Sequence, residues 1–296
     1  MIEVKGLVKT FDDFRALDGV DLFAPRGGVY GLVGANGAGK TTLIRHLTGV
    51  YRQDAGEIFI DGQPVYENNT IKQRIAYIPD DVFYFLASST RDMKSFYKSV
   101  YPRFDEDRYN KLRQAFSVDE KRPVRLLSRG MQKQSAFWLA MCMHPDVMIL
   151  DEPVDGLDPV MRRQIWSLLM QDVTERGMTV LVSSHNLREL EDVCDHVGVI
   201  DKGKMMLQRS LSSLQDNIVK LQIVVPDELD TSGFEVLHHS TTGRIHTLIV
   251  RGSAQEVTEK AAAKAPVFFD ILPISLEEIF IYELGGVDYA VKEIVL

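Results

Sequence analysis

The chain has 296 residues, 45% of them hydrophobic and 26% charged, with a formal net charge of −8. That length can bury a full core and predicts about two domains. The acidic balance argues against a nucleic-acid partner, which ordinarily meets a basic face, but not against a nucleotide, which needs only local positive charge.

The N-terminus, MIEVKGLVK, lacks the apolar run of a signal peptide. IEVKGLVKTF and LDGVDLFAP alternate as strands do, and GGVYGLVG is a short apolar strand running into a glycine-rich loop. KTTLIRHLTGV has helical spacing and stops at Gly49. GEIFIDGQPV reads as a hairpin turning at Asp61-Gly62. RIAYIPD is a further strand, and Thr90 to Phe116 is helical in pattern with a break near Pro102. MQKQSAFWLAMCMH is a helix ended by Pro145, and DVMILDEP is a buried strand with acids at its C-terminal end. VMRRQIWSLLMQDVTERG is a helix stopped by Gly177. MTVLVSSH is another buried strand, NLRELEDVCDH a helix and VGVIDKGKMML a hairpin. Strand and helix alternate through a mostly parallel sheet with an antiparallel N-terminal part.

Near Ser210 the texture changes. VKLQIVVPDEL, GFEVLHHS, IHTLIVRG and VFFDILPI read as strands, SAQEVTEKAAAKA as a helix, and SLEEIFIYELGG as a helix capped by Ser275. This is a small α+β unit. No window reaches the roughly 18 consecutive apolar residues of a membrane-spanning helix. Cys142 and Cys194 lie in apolar helical contexts, as reduced core cysteines do. The expectation is a soluble, intracellular chain; if it acts at a membrane, another chain supplies the spans.

Four stretches carry chemistry. GANGAGKT fits G-x-x-x-x-G-K-[ST] with Gly34, Gly39, Lys40 and Thr41, after a strand and before a helix. Its glycines let backbone N–H groups wrap phosphates, Lys40 reaches the β- and γ-phosphates, and the hydroxyl of Thr41 or Thr42, Thr41 being the motif residue, coordinates Mg²⁺. VMILDEP delivers Asp151 and Glu152 to the sheet edge where ligands of α/β sheets bind. Asp151 would hold Mg²⁺ through water and Glu152 would polarise the attacking water. Taken alone, two acids after a strand are more often a solvated loop; with a phosphate loop upstream the functional reading takes precedence. His185 in SSHN ends another strand at the same edge; it could contact a γ-phosphate or fix the geometry of Glu152, or simply be exposed. LSRGM is a second helix start, with Ser128 as cap and Gly130 permitting close backbone approach. It is either an ordinary capped helix or, if two protomers pack head to tail, an anion site facing the γ-phosphate held by the partner.

The order phosphate loop, LSRGM, VMILDEP, GLD, SSH resembles that of ATP-binding cassette (ABC) ATPases, over about residues 1–210. The resemblance implies an α/β P-loop NTPase cassette at 1–210, with a helical subdomain at about 85–145; the pattern after it gives a small α+β domain at 211–296. Residue by residue, Phe11 matches the aromatic that stacks on adenine, and Gly34 to Thr42, with Asn36 and Gly37 inside it, match the Walker A loop. Ser128 and Gly130 match the signature loop that reaches the opposite ATP. Asp151 matches Walker B, Glu152 the catalytic glutamate, Asp158 the dimer-contact loop and His185 the switch histidine.

The chain departs from that family in two places. The usual glutamine after the strand IAYIP, which touches Mg²⁺ and the attacking water, is Asp80, followed by Asp81. An aspartate can approach Mg²⁺ but repels phosphate oxygens; it joins Thr41 and Asp151 as a metal candidate. The signature reads LSRGM where many members continue Gly-Gly-Gln. Both variants, and the C-terminal PISLEEIFIYELGG, are similar to ABC-2 type exporters, a group that includes peptide and antimicrobial efflux systems.

The implied function is the ATPase subunit of a membrane exporter, using ATP and Mg²⁺. It would pair with a second cassette and an integral membrane permease, at the cytoplasmic face of the membrane and without nucleic acid. A soluble ABC ATPase that remodels a ribosome or nucleic-acid complex is the alternative, though that class tends to carry two cassettes or a long coiled coil. A regulatory module without turnover is disfavoured by an intact Glu152 and His185. Phe83, Tyr84 and Phe85 form an aromatic run that either packs the helical subdomain or receives a short helix of the permease.

Overall fold

The computed structural model describes residues 1–82, 87–226 and 228–283. The aromatic run Phe83 to Phe85, and Leu284 to Gly286 of the expected helix SLEEIFIYELGG, lie outside the described residues. In chain order the elements are β1 (Ile2–Phe11), β2 (Phe14–Ala24), β3 (Val29–Val33), α1 (Lys40–Leu47), β4 (Ala55–Ile60), β5 (Gln63–Pro64), α2 (Asn69–Lys72), β6 (Ile75–Ile78), α3 (Thr90–Val100), α4 (Glu106–Leu112) and α5 (Arg129–Cys142). There follow β7 (Val147–Asp151), α6 (Pro159–Arg176), β8 (Thr179–Ser184), α7 (Arg188–Glu191), β9 (His196–Asp201), β10 (Lys204–Ser210), α8 (Leu211–Gln215), β11 (Ile218–Val224), β12 (Glu235–Thr242), β13 (Ile245–Arg251), α9 (Ala254–Ala263), β14 (Phe268–Leu272) and α10 (Leu276–Glu283). None of these helices is long and apolar enough to cross a membrane.

Contacts divide the chain into two compact units. The first comprises Met1–His185 and His196–Gln208; the second takes Asn186–Asp195 and the chain from Arg209. The first unit holds two sheets. A four-stranded sheet runs β2-β1-β4-β5, antiparallel throughout, and a six-stranded sheet runs β10-β9-β3-β8-β7-β6. Within the larger sheet the pairs β9–β3, β3–β8, β8–β7 and β7–β6 are parallel. Strands β3, β7 and β8 are buried at every residue, which is why they read as unbroken apolar runs rather than alternating ones. One core cluster spans the two sheets and α1: it includes Val4, Leu22 and Ile58, then Leu43, Ile44 and Leu47 of α1, and Leu32, Ile149 and Leu181.

Chain punctuation follows local chemistry. Asp158 caps α6 by accepting from the Val160 and Met161 amides, Pro159 fills its first turn, and Gly177 ends it in a left-handed conformation. Pro102 separates α3 from α4. The α4–α5 contact is aromatic: the Tyr109 and Trp138 rings stack at 4.3 Å, and the Trp138 indole N–H donates to the Tyr109 carbonyl. Cys142 is buried and its thiol donates to the Trp138 carbonyl; burial pushes that thiol up to about 12.

The second unit has an antiparallel sheet ordered β12-β13-β11-β14, with Leu221, Ile223, Leu248 and Val250 packed against Val257 and Ala261 of α9. A capping pair starts α10: the Glu278 amide donates to Ser275 Oγ and the Ser275 amide to the Glu278 carboxylate. The expected helix over NLRELEDVCDH is a correction. Only Arg188–Glu191 is helical, because the Asn186 side chain takes the Arg188 amide and the Val193 and Cys194 amides both close on the Leu190 carbonyl, turning the chain toward β9.

Candidate nucleotide site

The phosphate loop leaves the buried end of β3 and enters α1. Gly37 and Gly39 have φ of 82° and 111°, which L side chains rarely adopt. Gly34 is required for a different reason: a Cβ there would lie 2.4 Å from the Ile200 carbonyl oxygen. Lys40, the first residue of α1, is only 6% exposed. Its ammonium donates to the carbonyls of Gly34 at 2.6 Å and Ala35 at 3.3 Å, bridging the loop it closes. A cavity of about 310 Å³ opens above, lined among others by Asn36, Gly37, Gly39, Lys40, Thr41, Thr42, Asp80 and Glu152. The structure therefore brings most of the expected nucleotide residues to one place.

The acid pair is split by its surroundings. Asp151 closes β7, and the parallel register sets it beside Ser183 of β8. Asp151 is 1% exposed and accepts from Ser183 Oγ at 2.6 Å. Glu152 follows with φ of 44°, a left-handed conformation that costs an L-residue roughly 1–2 kcal/mol. It is held there from several sides. Its amide donates to Ser183 Oγ at 3.1 Å, and its carbonyl accepts from Lys133 Nζ at 2.6 Å. Its Oε2 lies 3.0 Å from His185 Nδ1 and its Oε1 3.3 Å from Lys40 Nζ. Oε1 is buried and accepts no hydrogen bond of good geometry among the described residues; the charge beside it is the Lys40 ammonium.

Other expected residues are placed differently. Ser128 caps α5, its Oγ accepting from the Met131 amide at 3.3 Å. Gly130 packs onto the loop before α6, where a Cβ would lie 2.8 Å from the Gly156 carbonyl oxygen. Neither lines the phosphate cavity; a second cavity of about 170 Å³ lies at this helix start, lined by Asp80, Arg129, Lys133, Asp155 and Gly156 among others. Phe11 does not line the phosphate cavity either. Its ring meets Tyr51 edge-on at 5.5 Å, while Phe14, its partner across the β1–β2 turn and 67% exposed, does line it. Asp80 borders both cavities and pairs with Lys133 at 3.3 Å. Sequence reasoning missed Phe14, Ser183, Lys133 and Asp155.

Candidate metal donors fall into two sets. Thr41, Asp151 and Asp80 offer only oxygen, the donor that Mg²⁺ takes. Glu152, Asp155 and His185 have donor atoms within 4.8 Å of one another, and that set includes an imidazole, which suits transition metals. The oxygen set fits Mg²⁺ by chemistry; the second set has an alternative explanation, since the imidazole already bonds the Glu152 carboxylate.

Residues 17–155 match the model of the ABC transporter family. The chain is 29% identical to the ABC transporter ATP-binding protein YtrB of Bacillus subtilis (strain 168), over 97% of this chain and 99% of YtrB. It is 33% identical to the daunorubicin/doxorubicin resistance ATP-binding protein DrrA of Streptomyces peucetius, over 75% of this chain and 70% of DrrA. Among solved structures it resembles an ATP-binding subunit of an ABC transporter, at 25% identity and a TM-score of 0.68, over 73% of this chain and 92% of that one. It shares the fold of the dimeric cassette MJ0796 bound to ADP and Pi, at 19% identity and a TM-score of 0.63, over 71% of this chain and 99% of that one.

Proposed function

The chain belongs to the ABC transporter ATP-binding family, ATP-hydrolysing subunits of transporters, and from that premise we propose that Glu152 is the general base of its hydrolysis and that the subunit powers a membrane exporter. The observation that carries the base assignment is the Glu152 carboxylate, which lines the cavity of the phosphate loop with Oε1 beside Lys40 at 3.3 Å and Oε2 bonded to His185.

In this reading the γ-phosphate of ATP lies over the start of α1, where backbone N–H groups and the Lys40 ammonium meet its charge. A water between that phosphate and Glu152 gives its proton to Oε1 as it attacks, and the γ-phosphoryl leaves the ADP oxygen. His185, bonded to Oε2, fixes which oxygen faces the water. Thr41 and Asp151 would hold Mg²⁺, an ion that when bound neutralises phosphate charge; Asp80 lines the same cavity as Thr41 but is paired with Lys133. Because Ser128 and Gly130 lie away from the cavity of their own chain, their proposed role is toward ATP on a second cassette packed head to tail. Export rather than import fits the likeness to DrrA, a protein named for drug resistance, since removing a drug from the cell confers resistance; export in turn implies a membrane permease that holds this subunit at the cytoplasmic face.

The experiment is Glu152→Gln in the isolated subunit and in the complex with its permease. Turnover falls roughly 10²–10⁴-fold, the contribution of a positioned base, while ATP binding persists and an ATP-bound dimer accumulates. Turnover at the wild-type rate overturns the assignment of the base; a monomer at saturating ATP in both settings overturns the head-to-tail reading.

A further inference from the structure

Lys133 is a cation buried to 4% exposure inside α5, and no motif in the sequence calls for one there. A buried ammonium persists only when its charge is met. Here it is met by two groups at the nucleotide site: Nζ donates to the Glu152 carbonyl at 2.6 Å and lies 3.3 Å from Asp80 Oδ1. Both partners are unusual. Glu152 holds a left-handed backbone, which lasts only where its surroundings over-determine it. Asp80 brings a negative charge to the rim of a cavity that must accept phosphates.

We propose that Lys133 is a positioning residue with two separable effects. Its hydrogen bond to the carbonyl pins the backbone of Glu152, so that Oε1 stays aimed at the attacking water. Its charge neutralises Asp80, so that an acid at this position does not repel the nucleotide. The first effect acts on the chemical step, where misplacing a catalytic group by about 1 Å can cost about 100-fold. The second acts on binding. This rests on the reading of Glu152 as the base.

The test compares Lys133→Met, Lys133→Gln and the double variant Lys133→Met/Asp80→Asn, with Glu152→Gln run alongside. Steady-state kcat is measured together with the affinity for a fluorescent ATP analogue and the melting temperature. Lys133→Met, which removes the donor and the charge, lowers kcat about 10- to 100-fold and weakens the analogue several-fold. Adding Asp80→Asn restores affinity without restoring kcat. Lys133→Gln, an uncharged donor, lies between wild type and Lys133→Met in kcat.

Wild-type kcat in Lys133→Met overturns the proposal, and so does recovery of kcat together with affinity in the double variant, because Lys133 would then act through charge alone. If Lys133→Met does not fold, Lys133→Gln decides: its shorter side chain loses at least about threefold in kcat, and an unchanged kcat overturns the proposal. Failure is traceable. Should Glu152→Gln retain turnover, the base reading falls; should it lose turnover while the Lys133 variants do not, only the positioning falls.

Discussion

Ser183→Ala tests whether the acid pair is held as the parallel register implies. Ser183 is fully buried, and its one hydroxyl serves both acids, donating to Asp151 Oδ1 at 2.6 Å and accepting from the Glu152 amide at 3.1 Å. Losing a hydrogen bond to a charged group costs about 1.5–3 kcal/mol, and orphaning a buried N–H about 1–3 kcal/mol. The two losses share one atom and are not additive, so the net is about 2–4 kcal/mol. For a folding unit of this size each kcal/mol moves the melting temperature by about 2–4 °C, which predicts a fall of roughly 5–15 °C. Glu152 also loses one of the bonds that keep its backbone left-handed, and kcat should drop about 10- to 100-fold. Thermal unfolding by circular dichroism and steady-state ATP hydrolysis read the two effects. A melting temperature within about 2 °C of wild type would refute the energetic argument. A destabilised variant with unchanged kcat would refute the link between the hydroxyl and the geometry of Glu152.

Phe14→Ala, which removes the aromatic lining the phosphate cavity, should weaken ATP about 2- to 12-fold, the range of an aromatic contact worth about 0.5–1.5 kcal/mol. Phe11→Ala should weaken it less, because that ring is engaged with Tyr51; the opposite order in a fluorescent-nucleotide titration would return the stacking role to Phe11. Asp146 bonds Arg74 and Arg103; burial pushes its carboxyl up, but those bonds outweigh burial and hold it below the usual carboxylate range. A folded-state value below the unfolded one means that the stabilisation is present above about pH 4 and is lost as pH falls through the folded value. Asp146→Asn should therefore be less stable at neutral pH and lose less on acidification; identical slopes of urea stability between about pH 3 and pH 6 would contradict this.

The sequence made some of this legible and concealed the rest for identifiable reasons. Strands β7 and β8 are buried on both faces, so VMIL and TVLV stand out as runs, and the phosphate loop is a contiguous motif whose glycines have steric work to do. Ser183 was invisible as a partner because nothing local distinguishes it from Ser184; only the pairing of β7 with β8 puts it opposite Asp151. Lys133 reads as one more charged residue in a helix, and its burial depends on where α5 meets the ends of β6 and β7. Phe11 and Phe14 flank a two-residue turn, and choosing between them requires knowing which ring points over the loop. The short α7 was overread because the apolar spacing Leu187, Leu190, Cys194 suits a helix, whereas Asn186 and the return to β9 confine it to one turn.

That Asp151 and Glu152 are consecutive matters for what they can do. Had the strand continued, alternation would have sent their side chains to opposite faces of the sheet. Instead β7 ends at Asp151, and the left-handed turn at Glu152 redirects the chain at once. Asp151 keeps the buried position of a strand residue, with one oxygen committed to Ser183. Glu152 swings into the cavity, with one oxygen committed to His185 and the other beside Lys40. Two like carboxyl groups thus receive unlike surroundings, the arrangement by which one acid can serve as a fixed anion and its neighbour as a base. The strain at Glu152 is the means of that separation. A residue content with an extended backbone would leave the second acid on the wrong side of the sheet, so the bonds from Ser183 and Lys133 that hold the turn bear directly on the chemistry proposed for it.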